Sequence, residues 1–151
     1  GGGTRSRLYQ KLIVQNGEDS SVGAFYQGSM YDATAFGVYG APQGDDGLAG
    51  VEKAIDAEIA RIVKDGVTND ELERAKTRFR RGVIFARDNS SGMASMYGSA
   101  LSTGSTLKDI DEWPDRIAAV TAAQVQAVAA KYLVPGKSVA GYLLPSPEAV
   151  Q

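Results

Sequence analysis

The tightest constraint on the fold is a helical stripe followed directly by a stop and a restart. Leu48, Val51, Ile55, Ile59 and Ile62 recur at helical spacing, and Gly66 supplies the stop. Thr68 and Glu71 then form a capping box, in which the Thr68 hydroxyl accepts from the Glu71 amide and the Glu71 carboxylate reaches back. Such punctuation puts two amphipathic helices on either side of one sharp turn. The second is predicted to run to about Arg87, with Leu72, Ala75, Phe79, Val83 and Ala86 as its buried stripe. Asp88-Asn89-Ser90-Ser91 breaks it and starts a third helix, which carries Met93, Met96, Tyr97, Ala100 and Leu101 and ends at Gly104.

Shorter elements surround this block. Residues 6–14 read as a short helix with Leu8, Leu12 and Ile13 turned inward, stopped by Asn16-Gly17. Residues 21–30 and 33–41 read as two strands joined at Tyr31-Asp32. In the second strand Phe36 and Val38 fall on one face, and Ala35, Gly37 and Tyr39 on the other. Residues 107–120 form a capped helical stretch interrupted near Trp113-Pro114, and Thr121 with Gln124 is a second capping box. Val125, Val128 and Tyr132 share the face of that last helix. Pro135-Gly136 turns the chain into a final strand over 138–144. The order indicates an α+β domain, an antiparallel or mixed sheet with helices packed on one face.

Composition then narrows the chemistry. The chain has no histidine and no cysteine in 151 residues. Protein zinc sites draw mainly on imidazole and thiolate, and Ser-His or cysteine nucleophiles need the same groups. The reacting centre of any such enzyme therefore lies outside this polypeptide. A net charge of −2 argues against general nucleic-acid binding. No apolar run approaches the ~20 residues of a membrane span.

Four segments in register carry a family resemblance. Gly1-Gly2-Gly3-Thr4-Arg5-Ser6-Arg7-Leu8-Tyr9-Gln10 resembles the glycine loop and Ser-Arg-Leu segment of the pitrilysin/insulysin zinc metallopeptidases, nearest their bacterial, processing-peptidase-like branch. Gly66-Val67-Thr68-Asn69-Asp70-Glu71-Leu72 through Ala75-Lys76 is similar to the family's G-V-T-x-x-E-L-x-x-A-K helix start. Trp113-Pro114-Asp115-Arg116-Ile117 through Val120-Thr121 resembles its following helix pair. Lys131-Tyr132-Leu133 and Gly141-Tyr142-Leu143-Leu144-Pro145 resemble its last helix and strand.

The resemblance implies a metallohydrolase half-unit, one of several similar α+β units in a clam-shell. One half of such enzymes carries H-x-x-E-H and a distant glutamate, which hold zinc and activate water. That motif is absent here. The implied role is the C-terminal, non-metal-binding domain of one half, residues 1–145, incomplete at its N-terminus, with 146–151 as a tail. Zinc would be bound in the parent, outside this chain, and no cofactor within it.

The opposing half of an active family enzyme presents an Arg and a Tyr seven residues apart, donors for the substrate and its oxyanion. Those positions hold Ile13 and Ser20 here, so no catalytic residue is expected; the resemblance implies a place in the zinc-bearing subunit, and an inactive scaffold subunit would lack the pair as well. Gly1, Gly2, Gly3 and Arg7 are the candidate substrate-facing residues. Beside that reading stand a plain helix-entry loop for the glycines and a locally paired arginine for Arg7. The implied partners are a peptide substrate, the metal-binding domain and an opposing half, fused or separate, with no nucleic acid and no membrane span. The bacterial branch suggests a periplasmic address, and a non-enzymatic core-type subunit is the alternative role.

Other features have simpler accounts. Arg74, Lys76, Arg78, Arg80, Arg81 and Arg87 read as a solvated helix face paired with Glu71 and Glu73. Asp45-Asp46 and Asp109, Asp111 and Glu112 lack the pattern of a cation loop and read as helix N-terminal charge. Met93 with Met96, and Tyr26 with Tyr39, read as core.

Overall fold

A computed structural model describes residues 3–15, 17, 19–28, 30–42 and 47–144. The Ser6 hydroxyl accepts from the Tyr9 amide at 3.3 Å and the Ser6 carbonyl from Gln10 at 3.0 Å, starting the first helix. It continues over Tyr9–Gln15 with the wider π winding. Leu8 and Leu12 face inward as their spacing predicts, and Leu12 is fully buried.

Two strands follow, β1 (Asp19–Tyr26) and β2 (Phe36–Pro42), paired antiparallel. The register sets Gly23 opposite Tyr39 and Phe25 opposite Gly37. Each ring lies across the facing glycine, where an added Cβ would overlap it. This pairing of glycine with an aromatic rescues a position that otherwise weakens a strand. The strands are shorter than the sequence reading and the connection longer. Gln27 still donates to Ala35 at 3.1 Å, but the Asp32 carboxylate takes the Ala33 amide at 2.7 Å, a local bond that competes with the ladder.

Five α-helices complete the fold: α1 (Gly47–Asp65), α2 (Asn69–Arg87), α3 (Ser90–Ser102), α4 (Leu107–Ala119) and α5 (Ala122–Tyr132). The stop and restart between α1 and α2 are where the sequence puts them. Gly66 adopts φ +72, which a side chain resists, and its amide donates to Ile62 at 2.9 Å. Glu71 donates to the Thr68 hydroxyl at 3.2 Å, and the Thr68 amide donates to the Glu71 carboxylate at 2.8 Å. The second predicted box is also present, with Thr121 and Gln124 exchanging bonds of 3.3 and 2.9 Å. Asn89 caps α3 by accepting from Gly92 at 3.1 Å. The π-helix packs on β1, α1 on β2 and α5, and α2 on α3 and α4. The two-stranded antiparallel sheet with its helices is the α+β class expected.

Several details differ from the sequence reading. Helix α4 runs unbroken through Pro114. One absent amide is tolerated because a Thr106–Asp109 capping box secures the N-terminus and Trp113 packs on Phe79, ring centroids 6.2 Å apart. In α5 the buried face is Ala129, not the Val128–Tyr132 side, since the small Ala129 lets α1 approach; Val128 and Tyr132 are exposed. Met96, Tyr26 and Tyr39 are exposed rather than core. Residues 138–144 form no strand and pair with neither edge of the β1–β2 sheet. That segment is held instead by the Tyr142 hydroxyl donating to Glu52 at 2.5 Å.

The core is correspondingly slight. Leu8, Leu12, Val51 and Ala129 are the buried apolar residues among those described, joined by Glu58. The chain exposes 10998 Å². A compact monomer of its mass exposes roughly 7,400 Å². Ile84, Phe85, Val139 and Leu143 are prominent in the excess.

Candidate functional site

Arg7 sits where the first helix meets the α1–α2 turn. Its Nε donates to Glu71 Oε1 at 2.5 Å and its Nη2 to Glu71 Oε2 at 2.7 Å, a two-point fork across 64 residues of sequence. The same Nη2 donates to the Gly66 carbonyl at 3.0 Å. The carbonyls of Val63 and Lys64 accept from Gln126 Nε2 at 3.1 and 2.9 Å. Together these bonds satisfy carbonyls that the end of α1 leaves open.

Glu71 thus serves two masters, the α2 cap and Arg7. The Arg7 guanidinium, aided by the Thr68 bonds, outweighs partial burial and holds the Glu71 carboxyl at about 2. The carboxylate in turn raises the Arg7 guanidinium above its ordinary value. One donor is left over: Arg7 Nη1 is buried and has no hydrogen-bond partner among the described residues.

Arg7 and Glu71 form one wall of a cleft of about 200 Å³. Arg5, Lys11, Arg61 and Arg74 supply further positive charge, and Gln10 and Gln15 neutral amides. Arg61 pairs with Glu58 at 2.6 Å and Arg74 with Asp70 one helical turn back. Arg5 and Lys11 have no acidic partner among the described residues, so the lining carries an excess of positive charge. A separate, apolar groove of about 350 Å³ lies between α2 and α4, walled by Leu72, Phe79, Ile117 and Val120.

The sequence candidates fall unevenly on this arrangement. Arg7 lines the cleft, with its side chain 19% exposed and held by Glu71. Gly3 (φ +96) lies beside the Arg78 guanidinium; Gly1 and Gly2 lie outside the described residues. Ile13 is half-buried in the π-helix, and Ser20 lies at the register irregularity of β1. Within the basic set, Lys76 pairs with Glu73 at 2.9 Å as expected, but Glu71 answers Arg7 instead. Asp109 works as a helix cap, its carboxylate accepting from the Thr106 amide at 2.9 Å, while Asp45-Asp46 lie outside the described residues. Glu58 escaped the sequence reading. Its signal was a carboxylate spaced with Val51, Ile55 and Ile62 on one face of α1.

These donors do not fit zinc. Imidazole and thiolate are missing from the whole sequence, and among the described residues no three carboxylates converge. The cleft lining is made of arginine, lysine and glutamine side chains with Glu71 as its one carboxylate, so its charge is net positive.

Comparison with known proteins agrees with this division. Residues 1–79 match the family described as the peptidase M16 inactive domain. The chain is 29% identical over 145 residues to an uncharacterized zinc protease of Streptomyces coelicolor, covering 95% of this chain and 31% of that one. It is 30% identical to an uncharacterized zinc protease of Mycobacterium leprae, over 88% of this chain and 29% of the relative. The chain therefore spans about a third of the length of these relatives. In fold it resembles the inactive peptidase domain of a Bordetella parapertussis protein described as a zinc protease, with TM-score 0.80 and 20% identity over 94% of this chain and 74% of that one. A protease from Helicobacter pylori aligns with TM-score 0.79 and 16% identity, over 89% of this chain and 32% of that structure.

Proposed function

The chain belongs to the peptidase M16 inactive-domain family, and from this premise we propose that it is the non-catalytic wall of a peptide-hydrolysing chamber whose zinc is bound elsewhere in the parent. The observation that carries the proposal is the surplus surface. The chain exposes 10998 Å², against roughly 7,400 Å² for a compact monomer of this mass. The difference exceeds the ~800 Å² that one partner contributes to a standard interface. Apolar side chains such as Phe85 and Leu143 contribute to it, and such area is normally covered by other protein.

On this reading the chain supplies shape and a hydrophobic contact face to the metal-binding domain and to an opposing half, while peptide passes along its polar side. Ile13 offers no hydrogen-bond donor where an active opposing half presents an arginine, so stabilisation of the oxyanion falls to that partner. Gly3 and Arg7 are the substrate-facing candidates on the described side of the segment, with Gly1 and Gly2 preceding them. The parent is assigned to the periplasm in keeping with its bacterial branch; immunodetection in the cytosolic fraction alone would count against that address.

Elemental analysis and a peptidase assay test the main proposal. The chain alone should retain no stoichiometric zinc after dialysis and cleave no peptide, while the full parent polypeptide should do both. One equivalent of zinc on the chain alone, with chelator-sensitive hydrolysis, would contradict it.

A further inference from the structure

Beside Arg7 the cleft presents more positive charge than the protein itself answers. Glu71, Glu58 and Asp70 occupy Arg7, Arg61 and Arg74, while Arg5 and Lys11 line the cleft with no acidic partner among the described residues, Lys11 donating at 3.5 Å to the neutral Gln15 amide oxygen. Arg7, forked to Glu71, lines the same cleft. Guanidinium groups match the planar carboxylate with two parallel bonds, as Arg7 already does with Glu71.

We propose that this cleft binds a carboxylate of a peptide, with Arg5 and Lys11 as its principal free contacts. Size selects the ligand: about 200 Å³ falls below the ~300–1,000 Å³ of sites for drug-sized molecules and suits one residue of a chain. The proposal rests on the chamber-wall reading for its choice of peptide as the ligand, and it names the feature of the peptide that is recognised. An internal Glu or Asp side chain and a free C-terminus share the required chemistry.

Calorimetric titration of the intact chain at low salt tests it. The probes are an acetylated, amidated alanine pentapeptide with one central glutamate, its glutamine counterpart, and an alanine peptide with a free C-terminal carboxylate and no acidic side chain. The glutamate or the free-carboxylate peptide, or both, should bind more tightly than the glutamine control, and added salt should weaken the binding. Arg5→Gln and Lys11→Gln break no ion pair and should each weaken it about three- to tenfold, as loss of one solvent-accessible hydrogen bond does. Arg81→Gln, the same charge change outside the cleft, should leave it within twofold (~0.4 kcal/mol, the scatter of distant surface changes). Binding of the carboxylate peptides no tighter than the glutamine control, or an equal loss from Arg81→Gln, overturns the proposal. The readout needs neither zinc nor turnover, so a negative result leaves the domain assignment standing, and a failed zinc test leaves the titration readable.

Discussion

Arg7 and Glu71 join the first helix to the α1–α2 turn, and their substitution should be felt well beyond the cleft. Arg7→Ala leaves a part-buried carboxylate without its fork and the Gly66 carbonyl without its donor, and is expected to cost about 2–3 kcal/mol by denaturant titration. Arg7→Lys, keeping charge but losing the fork, should fall between. The pair also sets an acid dependence. The Glu71 carboxyl lies at about 2 in the fold, below its ordinary value. Its contribution is therefore complete above that ordinary value and lost as pH falls through the folded one. Glu71→Gln preserves the cap, so wild type should exceed it by about 1–2 kcal/mol near neutrality after allowance for solvent screening. That gap should close as pH approaches the folded value; a gap constant from neutrality into strong acid would show the fork to be energetically idle. Little of this was legible in the sequence. The Thr68–Glu71 box was, because a cap is local and has a spacing. The fork was not, because nothing in periodicity or spacing links residues 64 apart. Glu58 was legible in principle, as a charge inside an apolar stripe, and its burial follows from that position.

At the scale of elements, the helices obey their punctuation and the sheet does not stand on its own. Thr106→Ala removes one half of the α4 capping box and should cost about 1 kcal/mol. Pro114→Ala restores an amide within α4 and should raise stability by about 1 kcal/mol or more, since proline is the least favourable residue in a helix interior. A lower melting temperature would show that the ring's packing outweighs the missing bond. In the hairpin, Gly37→Val places a side chain against the Phe25 ring and should destabilise by about 1–3 kcal/mol, the cost of overpacking. The helix bounds were readable because caps and glycine stops act within four residues. The fate of 138–144 was not: its alternation suits a strand, but a strand also needs a neighbour, which a sequence pattern does not supply. The faces of α3 and α5 were misread for a related reason. Met96, Val128 and Tyr132 are apolar at helical spacing, yet nothing in the described chain covers them.

For the whole molecule, the proposed chamber-wall role accounts for these uncovered faces together, as those of a domain shaped to be embedded. The chain spans about a third of its relatives' length, and Ile84, Phe85, Val139 and Leu143 are all exposed. Hydrogen exchange read by mass spectrometry, comparing the chain alone with the same residues inside the full parent polypeptide, tests this most directly. Protection should rise in the parent at residues 84–85 and 138–144, where Ile84, Phe85, Val139 and Leu143 lie exposed, and stay nearly unchanged around Leu12 and Val51. Equal exchange of both segments in the two forms would mean that no other part of the parent covers them, and the embedded-wall account would fail.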